Sequence, residues 1–255
     1  VESTSAFEFN FNREIAKNLG CPVLVVGNAQ GRSVEEAISP VRIAVDSYRF
    51  RGCEIFGAVL NKAAPGAGPA LEAMLRELYG DEGWLLGVIP ADRELSSPRV
   101  AEIADQLGAE VLYGANRLDG LVFDYLVAAM QSQHALEWLR ENHLVITPGD
   151  RADVILSMLQ ADQSSKYPQL AGLLLSTGFQ PELSVAKLID GLPDPLPILA
   201  VPTDTFTTAS RMRNMRAHLR AGDSDKIERS IELFDSRVDL DALGARIRSV
   251  RTSGM

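Results

Sequence analysis

Residues 57–62, Gly-Ala-Val-Leu-Asn-Lys, and residues 85–90, Leu-Leu-Gly-Val-Ile-Pro, are two short apolar runs that decide the fold. Each run is typical of a buried β-strand that ends in a turn, and the residues between them have the composition of a helix. A strand, a helix and a second strand in this order form a βαβ unit, in which the two strands are parallel. The sequence therefore predicts a parallel α/β sheet around these residues.

The rest of the first half also alternates between helical and strand-like segments. Apolar residues at a spacing of four predict a helix over residues 7–19, and a buried strand over residues 22–27 follows it. Ser33 and Glu36 have the spacing of a capping box at the start of the next helix. We expect residues 1–115 to form one domain, an open parallel sheet of four strands with helical crossovers. Its remaining elements are predicted as strands at 55–60, 85–89 and 110–112 and helices at 70–78 and 100–107.

A second alternation of elements begins near residue 116. Residues 119–139 have the composition of a helix, and the residues after them predict a smaller α/β domain that extends to residue 235. Its other elements are predicted as strands at 144–147, 171–176 and 198–201 and helices at 151–160, 182–189, 205–218 and 224–234. Residues 236–255 lack a core pattern and are predicted to be a linker toward a further domain.

The composition of the chain excludes several classes of partner. A net charge of −9 and an isoelectric point near 4.9 argue against a nucleic-acid surface or an anionic membrane face. Cys21 and Cys53 lie beside apolar runs and are expected to be free thiols in a reducing compartment. The three histidines show no metal-ligand spacing. No run is long enough to span a membrane and no signal segment is evident, so a cytoplasmic location is expected.

Asn61 and Lys62 form the first candidate site, because they end a predicted strand at the edge where open α/β sheets bind ligands. The asparagine could bond to a base edge and the lysine stem could pack over the ring, which predicts a nucleotide site. However, the chain contains no Gly-x-x-x-x-Gly-Lys-Ser/Thr loop, which would supply the phosphate contacts. We therefore expect an incomplete sheet. A local side-chain turn beside a solvated lysine is the alternative.

Three strand ends in the second half form the second candidate site. The carboxyl ends of parallel strands meet at one edge of a sheet, so the residues that follow these strands should converge there. A rim of hydroxyl-bearing and charged residues could bind a small anion, and an arginine could grip a carboxylate or phosphate. Ordinary helix capping is the alternative. The residues of this rim are Asp150, Arg151, Thr177, Gly178, Asp204 and Thr205.

Several segments resemble a known family. Residues 6–12, 14–22, 57–62 and 86–90 are similar to the dethiobiotin synthetase-like, P-loop-derived domain at the amino end of large bacterial phosphate acetyltransferases. Residues 116–235 resemble the DRTGG domain that follows it, which is named for an Asp-Arg pair and a later Thr-Gly-Gly. Here the pair is Asp150-Arg151 and the later motif is Thr177-Gly178-Phe179, so that one glycine is replaced. The run of residues 204–209 is similar to a third patch of that domain.

This resemblance implies an internal region of a longer enzyme. The parent would convert acetyl-CoA and phosphate to acetyl phosphate and CoA, and its catalytic residues would lie in a carboxyl-terminal acetyltransferase domain, the partner of this region. The region itself is then expected to be non-catalytic, to support assembly of a homo-oligomer and to respond to a small metabolite. Two alternatives stay open, namely a truncated ATP-dependent enzyme of the dethiobiotin synthetase or cobyrinate amidase kind, and a stand-alone small-anion sensor. No catalytic residue, metal or cofactor is predicted on the chain itself.

Overall fold

A computed structural model describes the backbone of residues 2–80 and 85–253, and its contacts divide the chain into two compact units. The first unit combines residues 1–92 with residues 224–255, and the second unit consists of residues 93–223. The chain therefore leaves the first unit and later returns to it, so that the second unit is inserted into the sequence of the first.

A three-stranded parallel sheet forms the centre of the first unit. Its strands, in spatial order, are β1 (Val23–Asn28), β2 (Ile55–Ala63) and β3 (Leu85–Pro90). The predicted βαβ unit is confirmed as β2, helix α3 (Gly68–Tyr79) and β3. The predicted fourth strand is not part of this sheet, because it pairs with a strand of the second unit. The elements of this part of the chain are α1 (Glu2–Leu19), β1 (Val23–Asn28), α2 (Val34–Phe50), β2 (Ile55–Ala63), α3 (Gly68–Tyr79) and β3 (Leu85–Pro90).

The start of α2 and its packing follow directly from the sequence. The Ser33 hydroxyl accepts a hydrogen bond from the Glu36 backbone N–H at 3.2 Å, and the Ser33 N–H donates to the Glu36 carboxylate at 2.9 Å, which is the predicted capping box. Val41 and Val45 on α2 and Leu71 on α3 are buried against one face of the sheet. This apolar burial is the main term that stabilises the first unit.

The end of the chain covers the other face of the same sheet. Val238, which lies between helices α10 (Ser224–Arg237) and α11 (Leu240–Ser253), is buried and packs with Val59 and Leu86. The Asp239 N–H also donates to the Leu86 carbonyl oxygen at 2.7 Å. The linker predicted over residues 236–255 is therefore replaced by a packed helix for the described residues up to 253. Leu240, Leu243 and Ile247 recur at the spacing of one helix face, a signal that the expected linker overlooked.

A five-stranded sheet forms the centre of the second unit, in the order β4-β8-β7-β6-β5. The four strands from β5 to β8 are parallel, and β4 pairs antiparallel with β8 at the edge. The strands are β4 (Glu110–Tyr113), β5 (Asp124–Val127), β6 (His143–Pro148), β7 (Gly172–Ser176) and β8 (Ile198–Ala200). The helices are α4 (Arg93–Ser96), α5 (Val100–Leu107), α6 (Ser132–Glu137), α7 (Ala152–Asp162), α8 (Leu183–Asp190) and α9 (Thr205–Arg213).

Both faces of β6 and β7 are buried, as expected for central strands of a parallel sheet. Val145 and Leu173 belong to the core on one face, and Leu144, Ile146 and Leu174 belong to the core on the other. The sequences of these strands are therefore continuous apolar runs, and for this reason their predicted positions agree closely with the structure.

Three expectations for the second unit are corrected. Residues 119–139 are not one helix but contain β5, a loop and the short α6. The unit begins at residue 93 and not at residue 116, because α5 packs on this sheet and β4 pairs within it. Helix α9 ends at Arg213 and not at residue 218. Beyond the end of α9, the backbone N–H of His218 makes no helical bond and donates to the carboxylate of Glu102, at 2.8 Å.

Candidate functional site

The three predicted rim loops lie side by side at the carboxyl edge of the second sheet. They follow β6, β7 and β8, which are neighbours in that sheet, so the convergence expected from the strand order is present. The contacts among the loops are mostly hydrogen bonds and close packing within the chain. Whether the rim binds a ligand stays a prediction.

Gly149 joins the first loop to the second by a very close approach. Its N–H donates to the Ser176 carbonyl oxygen at 3.2 Å, and a Cβ atom placed on Gly149 would lie 1.7 Å from the carbonyl oxygen of Phe179. Only glycine fits at this position. The sequence predicted the turn at residues 148–150 but gave no signal for the close contact with Phe179.

Thr177 and Gly178 join the second loop to the third through their backbone. The Thr177 N–H donates to the Thr203 carbonyl oxygen at 2.7 Å, and the Gly178 N–H donates to the Val201 carbonyl oxygen at 3.0 Å. Thr177 has a φ of 74°, which is rare for a β-branched residue and costs free energy. The two hydrogen bonds hold this strained conformation in place.

Arg151 is engaged by a carboxylate two residues further along the chain. Its guanidinium donates from Nε and from a terminal nitrogen to the two oxygens of Asp153, both at 2.8 Å, and also to the Met130 carbonyl oxygen at 3.0 Å. These bonds raise the pKa of the Arg151 guanidinium and lower the pKa of the Asp153 carboxyl. The arginine that we expected to grip an anion thus already has a bidentate partner.

Asp204 and Thr205 make contacts that match the capping alternative. The Asp204 carboxylate accepts hydrogen bonds from the Thr207 hydroxyl at 2.6 Å and from the Thr207 N–H at 2.9 Å, which caps α9. The same bonds lower the pKa of Asp204. The Thr205 hydroxyl lies 2.7 Å from the hydroxyl of Ser176, a fully buried residue that the sequence-based site did not include.

The charges of the rim do not favour an anion. Residues 149–153, 176–179 and 203–205 carry three carboxylates, those of Asp150, Asp153 and Asp204, against the single guanidinium of Arg151. The exposed Asp150 leaves its negative charge facing solvent. Two exposed aromatic residues, Phe179 and Phe206, follow the rim residues directly.

Asn61 and Lys62 lie at the carboxyl edge of the first sheet, as predicted. Asn61 is opposite Asn28 on β1, and Lys62 has a φ of 60° within an irregularity of β2 between Leu60 and Ala63. A bulge of this kind re-aims the side chain next to it. The Lys62 side chain is exposed, and the nucleotide role of the pair stays a prediction.

Among the residues that the structure describes, no group of three or more histidine, cysteine, aspartate or glutamate side chains is arranged to hold a metal ion. No helix within residues 2–80 and 85–253 combines the length and the apolar composition of a membrane span.

Residues 102–215 match the DRTGG domain family. This segment falls entirely within the second unit, residues 93–223, and includes the whole rim. The chain is therefore a mixed α/β protein with parallel sheets that contains a DRTGG domain. The finer assignment of the first sheet to a P-loop-derived type stays a prediction.

Similarity to named proteins extends over nearly the whole chain. It is 42% identical over 98% of its length to a phosphate acetyltransferase of Synechocystis sp., and 36% identical over 98% of its length to one of Nitratidesulfovibrio vulgaris. It is also 30% identical to a phosphate acetyltransferase of Deinococcus radiodurans over its full length. The chain spans only 36%, 36% and 37% of these relatives. It is thus homologous to about a third of a bacterial phosphate acetyltransferase, which confirms the resemblance.

One solved structure shows a weaker likeness. It contains the CBS and DRTGG domains of the regulatory region of Clostridium perfringens pyrophosphatase, complexed with the activator diadenosine tetraphosphate. The likeness has a TM-score of 0.38 at 17% identity and covers 74% of this chain and 71% of that one.

Proposed function

We propose that the chain is a regulatory and assembly region of a phosphate acetyltransferase and is itself non-catalytic. The parent enzyme would convert acetyl-CoA and phosphate to acetyl phosphate and CoA in a part of the protein that this chain does not match. The observation that carries the proposal is the extent of the similarity: it covers 98% of this chain but only 36% of the Synechocystis relative.

The contacts at the rim support the non-catalytic part of the proposal. A catalytic nucleophile needs a base within hydrogen-bond reach. The buried Ser176 hydroxyl instead meets the hydroxyl of Thr205, and the Asp204 carboxylate is occupied by the start of α9. The strongest donor of the rim, Arg151, is bound to Asp153. These groups are used to fix the loops, which suits a domain that transmits a signal or forms a contact.

Calorimetry with a panel of metabolites tests the regulatory part. The purified chain is titrated with nucleotides, NADH, pyruvate and acetyl phosphate, and the proposal expects saturable heat with at least one of them. Asp150→Ala then tests whether the site is the rim: it removes an exposed rim carboxylate, so an anionic metabolite bound there should bind more tightly. Glu232→Ala, which removes an exposed carboxylate on α10, is the matched control.

The two variants separate the possible results. A change in affinity in Asp150→Ala but not in Glu232→Ala would place the effector at the rim. Equal affinities in both variants and in the unaltered chain would keep regulation but move the effector elsewhere. Absence of saturable heat with every compound would contradict regulation by these metabolites.

A further inference from the structure

The two edges of the first sheet differ, because the chain covers one of them and leaves the other open. At the outer edge of β3, Val238 forms an antiparallel bridge with Gly87. At the opposite edge of the sheet, β1 pairs with β2 and with no other strand among the residues that the structure describes. The hydrogen-bonding groups along the outer edge of β1 are therefore available to a further strand.

The backbone of β1 shows which groups lie at this open edge. The Ala29 N–H donates to the Asn61 carbonyl oxygen on β2 at 2.8 Å, and successive residues of a strand direct their backbone groups to alternate edges. The N–H and C=O groups of Val26 and Asn28 thus point away from β2. None of the six residues of β1 is charged or proline, and the Val26 side chain is 64% exposed. An uncharged edge of this kind pairs readily with another strand.

Helix α1, which leads into β1, also has an exposed apolar face. Phe11, Ile15 and Leu19 follow one another at a spacing of four, and their side chains are 57%, 39% and 69% exposed. Apolar residues at this spacing are typical of the face that a helix buries. The face of α1 and the open edge of β1 belong to the same unit and to consecutive elements.

Helix α1 packs on the side of α2 that faces away from α3. The Arg13 guanidinium donates to the Ser47 hydroxyl at 2.8 Å, and the rings of Phe9 and Tyr48 meet edge-on with their centroids 5.5 Å apart. Ile38 of α2 lines a groove between α2 and α3 and lies about two and a half turns before Ser47, which is the opposite side of the helix. The three helices therefore lie in the order α1, α2, α3.

This order of helices indicates where a strand that leads into α1 would lie. Helix α2 joins β1 to β2, and α3 joins β2 to β3, on the same face of the sheet. Because crossovers between parallel strands are right-handed, helices on one face advance in the same direction as the strands that they join. Helix α1 continues the series beyond α2, so a parallel strand that precedes it belongs on the open side of β1.

We propose that the open edge of β1 and the exposed face of α1 are the surface on which another part of the parent phosphate acetyltransferase packs. The chain that leads into α1 would add at least one strand, parallel to β1, to the first sheet. The chain spans only 36% of the Synechocystis relative, which leaves ample sequence for such a segment. The inference rests on the part of the proposed function that places this chain in a longer enzyme, and it adds the surface and the kind of segment.

Amide hydrogen exchange tests the surface in the isolated chain and in the whole Synechocystis phosphate acetyltransferase. In the isolated chain, peptides that cover β1 should contain amides that exchange fast, because those at the open edge have no strand to bond. In the whole enzyme, the same amides of the aligned peptide should exchange roughly 100-fold more slowly. Strand β2 is the matched control: it has a neighbour on both edges already, so its exchange should be similar in the two proteins.

A substitution on α1 tests the exposed face in a hybrid, the Synechocystis enzyme in which this chain replaces the segment that it matches. Leu19→Asn should leave the urea midpoint of the isolated chain unchanged, because Leu19 is exposed there. It should lower the midpoint of the hybrid, where the added segment buries this position. Ile43→Asn, at a position of α2 that is 62% exposed, is the matched control and should change neither midpoint.

The contradicting results are distinct. Fast exchange of the aligned β1 peptide in the whole enzyme would overturn the surface, and so would a midpoint of the hybrid that Leu19→Asn leaves unchanged. Slow exchange of β1 in the isolated chain would mean that the edge is closed without the added segment, and loss of that protection on dilution would identify a second copy as the partner. If the hybrid does not fold, exchange in the natural enzyme decides. Formation of acetyl phosphate by this chain would contradict the proposed function without changing any of these results.

Discussion

Gly149 occupies a position in which a side chain cannot be accommodated. The replacement Gly149→Ala would drive a methyl group into the Phe179 carbonyl, 1.7 Å from the position of the new Cβ atom. Because the obstacle is backbone, the loops after β6 and β7 would have to separate. We expect a loss of about 3 kcal/mol in the free energy of unfolding, measured by urea denaturation.

Gly191→Ala is the control for this prediction. Gly191 has a φ of −81°, and the nearest atom to a Cβ placed there is 3.5 Å away. This substitution should change the free energy of unfolding by less than about 1 kcal/mol. Similar losses in the two variants would show that the close approach at Gly149 does not hold the rim.

His143 should make stability depend on pH. Its side chain is only 5% exposed, and burial lowers its pKa below the ordinary value of 6.5, although Asp124 nearby opposes the shift. The folded chain therefore binds this proton less readily than the unfolded chain. The free energy of unfolding should be constant at higher pH and fall as the pH decreases through the ordinary value of 6.5.

Urea denaturation at about pH 7.5 and about pH 5.5 measures this dependence. His143→Gln removes the titrating group and should reduce the difference between the two pH values. His134→Gln, at an exposed position on α6, should leave the difference as it is in the unaltered chain. An undiminished difference in His143→Gln would assign the pH dependence to other groups.

The position of the rim residues could be predicted from the sequence, but their bonding could not. The strand runs that end before Asp150, Thr177 and Asp204 are apolar and unambiguous, and strand order then brings the three together. The ion pair of Arg151 with Asp153 depends on side-chain geometry at the start of α7. The positive φ of Thr177 opposes the intrinsic preference of threonine and is set by tertiary hydrogen bonds alone.

At the scale of elements, β5 shows where a sequence pattern is ambiguous. Residues 119–139 are apolar enough for a helix, yet residues 124–127 pair with β6. Short apolar runs cannot be assigned to strand or helix by periodicity alone. The aromatic and β-branched residues Phe123, Tyr125 and Val127 favour a strand here, and Gly120 interrupts a helix.

The α10–α11 segment departs most from its prediction, because residues 236–255 were expected to be a linker. A substitution of Val238 tests whether the segment stabilises the first sheet. Val238→Asp places a charge between Val59 and Leu86, at a site that is 5% exposed. Amide hydrogen exchange in β2 and β3 should accelerate, while exchange in β6 and β7 stays unchanged, because the latter strands belong to the second unit. Unchanged exchange in β3 would mean that residues 236–253 behave as the linker first expected.

At the scale of the whole molecule, the insertion of the second unit into the sequence of the first could not be predicted. Local patterns locate helices and strands, but they do not show that α10 and α11 return to the first unit after residue 223. That return depends on contacts between Val238 and strands more than a hundred residues earlier in the chain. The residues that match the DRTGG domain, and with them the whole rim, lie in the inserted unit.

Formation of acetyl phosphate is the measurement that tests the proposed function most directly. The purified chain is incubated with acetyl-CoA and phosphate, and the Synechocystis phosphate acetyltransferase, 42% identical to it, is assayed in parallel. If this chain is a non-catalytic region, it forms no acetyl phosphate above the buffer background while the longer relative does. Turnover that accompanies the chain through purification would contradict the claim.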